Sequence, residues 1–142
     1  MPPKKPLTTI HSYGIYSAWQ SKSKDLPKIQ KFTHDIPAEI DIEFGLTINI
    51  KRARGSKIHF TIEHPDILDE NGQPRAPFTG EVHVTNNDWI FYLGDTIWAP
   101  IEDKCGDWTM SIRHKGQVIA EKTFHISTPE NSASLNTRFT FV

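Results

Sequence analysis

Cysteine is nearly absent from this sequence. Cys105 is the sole example in 142 residues, so no disulfide can form within the chain. The fold must be held by burial instead of covalent staples. A lone thiol is also the usage expected of a reducing compartment, so the cytoplasm is the expected location. Long apolar runs are missing too. No stretch approaches the ~20 consecutive apolar residues of a membrane helix, and no membrane association is expected. The opening Met1-Pro2-Pro3-Lys4-Lys5-Pro6 is basic, but Thr8, Thr9, His11, Ser12 and Tyr13 break up the apolar residues of the next segment. That pattern leads us to expect no secretory leader. Charge of one sign is lacking as well. The formal net charge is −1, which gives no electrostatic reason to expect nucleic acid as a partner. The local signatures of common catalysis are absent: no Gly-x-Ser-x-Gly, no phosphate-binding glycine loop, no dinucleotide fingerprint and no His-Glu-x-x-His. No cofactor, metal or catalytic residue is expected, and the chain is read as a non-enzyme.

The residues that are present describe a globular chain. Hydrophobic residues make up 37% and charged residues 23%, enough apolar material to rule against disorder. The length fits one domain over residues 1–142, and a chain of this size buries roughly two-thirds of its unfolded surface. Charge is unevenly spread. Residues 1–31 carry six lysines against Asp25 alone, and the rest is net acidic. Lysines there suit an edge strand and its loop, where they discourage pairing with other chains.

The strongest local signal is Ala38–Ile50. Ala38, Ile40, Ile42, Phe44, Leu46, Ile48 and Ile50 alternate with Glu39, Asp41, Glu43, Gly45, Thr47 and Asn49. A period of two buries one face of a strand and wets the other. Gly45 in the middle suggests a bulge. The pattern repeats at Lys57–Glu63, after a hairpin-like Arg54-Gly55-Ser56, and at Glu81–Thr85. Trp89–Leu93 is denser, as expected of a strand covered on both faces. Trp108, Met110 and Ile112, the turn His114-Lys115-Gly116-Gln117 and the return Val118–Ile126 form a hairpin. A first strand is expected over Thr9–Ser17. Residues 20–35 read as a long loop. Residues 64–80, with Pro65, Pro74, Pro77 and Asn71-Gly72, read as a loop crossing between sheets. A polar stretch, Thr128–Thr137, leads to Arg138-Phe139-Thr140-Phe141-Val142, which alternates and suits a sheet edge. Seven to eight short strands with a long crossing point to an all-β antiparallel sandwich with Greek-key connections, its core about residues 9–127.

Five motifs in order resemble a family of uncharacterised bacterial proteins. They are Tyr13-Gly14-Ile15-Tyr16, Ile36-Pro37-Ala38 followed by Phe44-Gly45, His64-Pro65, Gly106-Asp107-Trp108 and Lys122-Thr123-Phe124. The resemblance implies an immunoglobulin-like β-sandwich. It implies no activity and no catalytic residues, and since some relatives look exported it does not fix a compartment. Physically, Pro37 sets an extended entry, and Trp108 is a natural core anchor.

Several groups have the residue types of a site. His59, His83 and His125 share an outward parity and would suit zinc only if their strands were neighbours. They read better as exposed polar residues. Asp66, Asp69, Glu70 and Asn71-Gly72 miss the calcium-loop spacing, since counting back from Gly72 puts Ile67 at the first ligand position. Asp95, Glu102, Asp103 and Asp107 read as loop charge. Cys105 beside Lys104 lacks a histidine placed to activate it. The aromatics remain. Tyr16, Trp19, Trp89, Tyr92 and Trp98 are the candidate ligand-binding residues, with at least two of the three tryptophans expected to be mostly buried and any exposed neighbours marking an interaction patch. The expectation is a binding module for a protein partner or a second copy, engaged by strand addition at a sheet edge. The alternative is a sugar- or small-ligand-binding sandwich using those rings. An enzyme with a dispersed site ranks third.

Overall fold

A computed structural model describes residues 5–18 and 25–128. Among them are nine strands. These are β1 (Leu7–Tyr16), β2 (Ile29–Phe32), β3 (Asp35–Pro37), β4 (Glu43–Lys51), β5 (Lys57–Glu63), β6 (Phe78–His83), β7 (Asp88–Thr96), β8 (Gly106–His114) and β9 (Gln117–Ser127). One short 3-10 turn spans Glu102–Lys104. The strands form two sheets, β2-β1-β4-β7 and β3-β9-β8-β5-β6. All pairings are antiparallel except β3 with β9. The arrangement β1-β4-β7 facing β9-β8-β5 is the A-B-E over G-F-C layout of immunoglobulin domains, with β6 beside C where C′ lies.

Period-two patterning builds the core. Phe44, Leu46, Ile48 and Ile50 on β4 meet Ile58 and Ile62 on β5 and Trp108, Met110 and Ile112 on β8. Phe44 is the pivot, edge-on to Trp108 at 5.4 Å and to Phe124 at 5.6 Å. Such ring pairs add about 0.5–1.5 kcal/mol beyond the area they bury. Trp108 is 1% exposed, and its indole N–H donates to the Lys104 carbonyl at 2.8 Å. The expected core anchor is in place. So is the β8–β9 hairpin, whose turn residues Lys115 and Gly116 both adopt positive φ, the twist a two-residue hairpin needs.

Other expectations need correction. Ala38–Ile50 is not one strand. Glu39–Asp41 turns, Asp41 sits at φ 74°, and Ile40 is 55% exposed. The alternation of Ala38–Ile42 is a coincidence of parity. Nor does β4 bulge at Gly45, which pairs regularly with Gly94 on β7; the irregularity falls on β1, between Ile10 and Ser12. Arg54-Gly55-Ser56 is not a hairpin turn, because β4 and β5 lie in different sheets. Conversely, the 64–80 segment does not cross between sheets; it joins β5 and β6, which pair with each other. The crossings are β2→β3, β3→β4, β4→β5, β6→β7 and β7→β8. β7 is not covered on both faces. It lies at a sheet margin, and Ile90 is 47% exposed. The strand count rises above eight because β2 and β3 are too short and too polar to register as strands.

Candidate functional site

The five candidate aromatics fall into two separate settings. Tyr16 and Tyr92 lie on the outer face of the four-stranded sheet, as parity requires, yet they are only 3% and 4% exposed. They cannot stack on a ligand as expected. The register places Gly14, Gly45 and Gly94 side by side across β1, β4 and β7. This row of missing side chains lets the tyrosines lie flat. A Cβ on Gly94 would fall 2.0 Å from the Tyr92 hydroxyl oxygen. The two rings meet edge-on at 4.9 Å. The Tyr16 hydroxyl pairs with Ser12 at 2.7 Å and accepts from Thr47 at 3.1 Å. Tyr92 donates to Glu43, which also accepts from the Thr96 hydroxyl at 2.5 Å. Burial raises the Glu43 carboxyl above its ordinary pKa, against the two hydroxyl hydrogen bonds that hold it down. Burial raises both tyrosines as well, Tyr92 further because of the adjacent Glu43 charge. The cluster is a closed polar network that locks β1, β4 and β7 together.

Asp95 is the other perturbed acid. Burial pushes its pKa up to about 6, opposed by the Thr96 backbone N–H and by His64 and reinforced by Glu43. Glu43 and Asp95 occupy neighbouring strands, but their parity puts them on opposite faces of the sheet. They share no cleft. Structural networks perturb pKa values as readily as active sites do, and Glu43 is spent on two neutral donors.

Trp89 and Trp98 lie elsewhere, both half-buried, along the side of the sandwich where β6 and β7 form the sheet margins. Rings fill the gap between these strands. Trp89 stacks on Phe91 at 5.2 Å with an interplanar angle of 14°. Phe91 faces Phe60 at 6.4 Å. Phe78 meets Trp98 at 6.3 Å, and Trp98 meets Trp108 at 6.2 Å. Trp98 also carries the Lys104 ammonium 4.4 Å over its ring. Trp19 lies outside the described residues.

Sheet margins differ in their defences. β3 has three residues and ends at Pro37. β2 has four and carries Lys31. β6 has six and carries Glu81 and His83. β7 has nine, Asp-Trp-Ile-Phe-Tyr-Leu-Gly-Asp-Thr, with neither lysine nor proline. Ile90 is exposed on its outer face, and half-buried Trp89 and Phe91 line its inner one. Short strands, lysine and proline are the usual guards of an edge. β6 and β7 both lack lysine and proline, and β7, at nine residues, is the longest margin among the described residues.

The histidines do not converge. His59 and His83 are near neighbours on β5 and β6, with His59 3.7 Å from Glu81. His125 lies on β9, beyond β8, with Asp107 at 2.5 Å. Cys105 is half-buried, with its thiol 3.6 Å from the Ile101 carbonyl. A feature the sequence did not announce is Lys104. It is 1% exposed and donates to the Pro100 carbonyl at 2.8 Å and to Asp103 at 2.5 Å. Only the run of acids before it hints at a paired buried cation.

The fold and its closed polar network define an immunoglobulin-like β-sandwich domain. Residues 4–126 match the family model of a domain of unknown function, DUF3859, and the chain belongs to that family. It is similar to the crystal structure of an immunoglobulin-like protein from Pseudomonas aeruginosa, with 17% identity and a TM-score of 0.68, over 85% of this chain and 97% of that one. A weaker likeness, at 10% identity and a TM-score of 0.41, is to the DNA glycosylase AlkC of Pseudomonas fluorescens bound to DNA, over 85% of this chain and 30% of that one. It carries no argument. No curated protein matches. No helix among the described residues is long and apolar enough to cross a membrane.

Proposed function

We propose that this domain is a non-enzymatic interaction module that accepts an extended protein segment along the outer edge of β7. The observation that carries the reading is the length of that edge and its lack of lysine and proline. Nine residues without lysine or proline stand at the sheet margin, with Ile90 exposed on one face and Trp89 and Phe91 half-buried on the other. Strand addition draws affinity from main-chain hydrogen bonds and specificity from alternate side chains, and both kinds of surface are present. The single reduced cysteine suits a cytoplasmic setting for this role.

The test is capture by an immobilised peptide of alternating threonine and valine. The full chain is expected to be retained, and Ile90→Lys is expected to lose most of that retention while melting as before. Retention unaffected by Ile90→Lys contradicts the reading.

A second reading, a sugar stacked on Trp89, is supported by that ring's half-exposed stack on Phe91. Glycan-array binding abolished by Trp89→Ala would favour it.

A further inference from the structure

We propose that the cleft between the start of β1 and the β8–β9 turn is a binding site for inorganic phosphate, taken as its monohydrogen dianion. The site is two positions from β7 in the sheet order and does not rest on the strand-addition reading.

Position comes first. The cleft holds about 230 Å³ and is lined by Lys5 and Thr8 at the start of β1 and by His114, Lys115 and Gln117 at the turn. Pockets for larger organic ligands run to about 300–1,000 Å³, so this one suits a small ion with some of its water. Lys115 and Gly116 both take positive φ, which reverses the chain within two residues and keeps Lys115 at the tip. The Arg52 Nε–H donates to the Lys5 carbonyl at 2.9 Å and ties the approach to β1 to the end of β4. These residues are all described, whereas Arg138–Val142, expected to suit a sheet edge, lies outside the described residues.

Charge selects an anion. Lys5 and Lys115 both line the cleft, and no carboxylate does. Lys51, Arg52, Arg54 and Lys57 gather at the same end of the sandwich, where β4 ends and β5 begins. Asp88 and Glu81, at that end, are engaged. Asp88 accepts from the Asn49 amide at 2.7 Å, and Glu81 lies 3.5 Å from the Lys57 ammonium. A net charge of −1 thus conceals a basic end. Two ammonium groups match a dianion, and lysine serves phosphate as a point charge.

His114 selects among dianions. It is 9% exposed. The Ser56 hydroxyl gives its hydrogen to the Ala53 carbonyl at 2.5 Å. Toward His114 the Ser56 oxygen can therefore only accept, and the Nε2–H donates to it at 3.0 Å. That bond fixes the orientation and tautomer of the ring. Burial, and then the Lys115 charge, hold His114 below its ordinary pKa, so the ring is neutral and Nδ1 presents a lone pair. Nδ1 has no partner among the described residues, and no fully enclosed polar side-chain atom among them lacks one. Nδ1 therefore meets solvent, where His114 lines the cleft. A lone pair calls for a donor. Monohydrogen phosphate has one, its P–OH, and keeps three oxygens for the lysines. Sulfate has the same charge but no proton. An ester phosphate, with a second pKa of about 6, has lost its own above neutral pH.

The test is titration of the isotopically labelled full chain with sodium phosphate, sodium sulfate and phenyl phosphate, at slightly alkaline pH and matched ionic strength, followed through its backbone amides. Phosphate is expected to give saturating shifts at Thr8 and His114–Gln117, with an affinity about tenfold or more above those of sulfate and phenyl phosphate. Lys115→Asn keeps the turn, since Asn-Gly favours positive φ, and should weaken phosphate by about tenfold. His114→Gln, whose amide nitrogen reaches the Nε2 position and leaves no acceptor at Nδ1, should bring phosphate down to the level of sulfate. Shifts that do not saturate, or that follow exposed lysines over the whole surface, overturn the proposal. Equal affinity for sulfate overturns it, because charge alone then explains the binding. Equal affinity for phenyl phosphate overturns it too, because any phosphoryl group then suffices. These comparisons on the wild-type chain stand whether or not either variant folds.

Discussion

The two sides of the sandwich are closed in different ways. On one, β1 lies close against β9 and β3 of the opposite sheet. Tyr13 fills the join, stacked on His34 at 4.6 Å, edge-on to Phe32 at 5.5 Å and capped by the Lys122 ammonium at 4.1 Å. The margins there are short strands bearing Lys31 and Pro37. On the other side rings line the gap between β6 and β7, with Trp89 stacked on Phe91 and Phe78 facing Trp98. The margins there are strands of six and nine residues with neither lysine nor proline, and β7 bears Asp88 and Asp95. The two sides thus differ in the length and the residue content of their margins. The contrast, more than any single residue, supports the proposed role of the β7 edge.

The largest effect should come from the core between the two sides. Trp108→Ala removes a fully buried ring and is expected to cost ~3–5 kcal/mol; thermal and denaturant melts measure it, and an unchanged midpoint contradicts the core assignment. Phe91→Ala should cost about 3 kcal/mol, against about 1–2 kcal/mol for Tyr13→Ala, because backbone contacts also close the Tyr13 side. Equal losses in denaturant melts would erase the contrast.

Next in size is a pH effect confined to the β7 side. The Asp95 pKa is raised to about 6 from 3.8, so the native state binds more protons than the unfolded one between these values. Stability therefore falls as pH rises through that window, by up to about 3 kcal/mol before discounting for partial exposure. The raised Glu43 acts in the same sense. Asp95→Asn should flatten the melting temperature between pH 4 and pH 7 and stabilise the chain at pH 7. A wild-type protein more stable at pH 7 than at pH 5 contradicts the raised pKa. The smallest effect is a swap of guards. Lys31→Val should change stability by within about 0.5 kcal/mol, yet make β2 a second edge that captures the threonine–valine peptide.

Patterning was legible where one strand's periodicity carried the whole message. Ile58, Phe60 and Ile62, and Trp108, Met110 and Ile112, announce their strands and their inward faces. The Lys115-Gly116 turn fixes its hairpin locally. The illegible part depends on pairing across the chain. Nothing near residue 64 says that β5 and β6 are partners, and nothing near Gly55 says that β4 and β5 are not. Polar Ile29–Phe32 becomes a strand only because β1 offers it an edge. Ile40 fits the alternation of β4 yet sits on a turn. The candidate aromatics show the same limit. Parity places Tyr16 and Tyr92 outward correctly, but their burial follows from three glycines brought into one row by register. Trp89 and Trp98 stand out in the sequence only as aromatics, and the structure adds that both are half-buried on the β6–β7 side of the sandwich.

The β7 edge is most directly tested by titrating the isotopically labelled full chain with the threonine–valine peptide and following its backbone amide resonances. The account predicts shift changes along Asp88–Thr96 and the adjoining residues of β4, with Ile29–Phe32 unmoved. Changes centred on β2, or spread evenly over both margins, would contradict it.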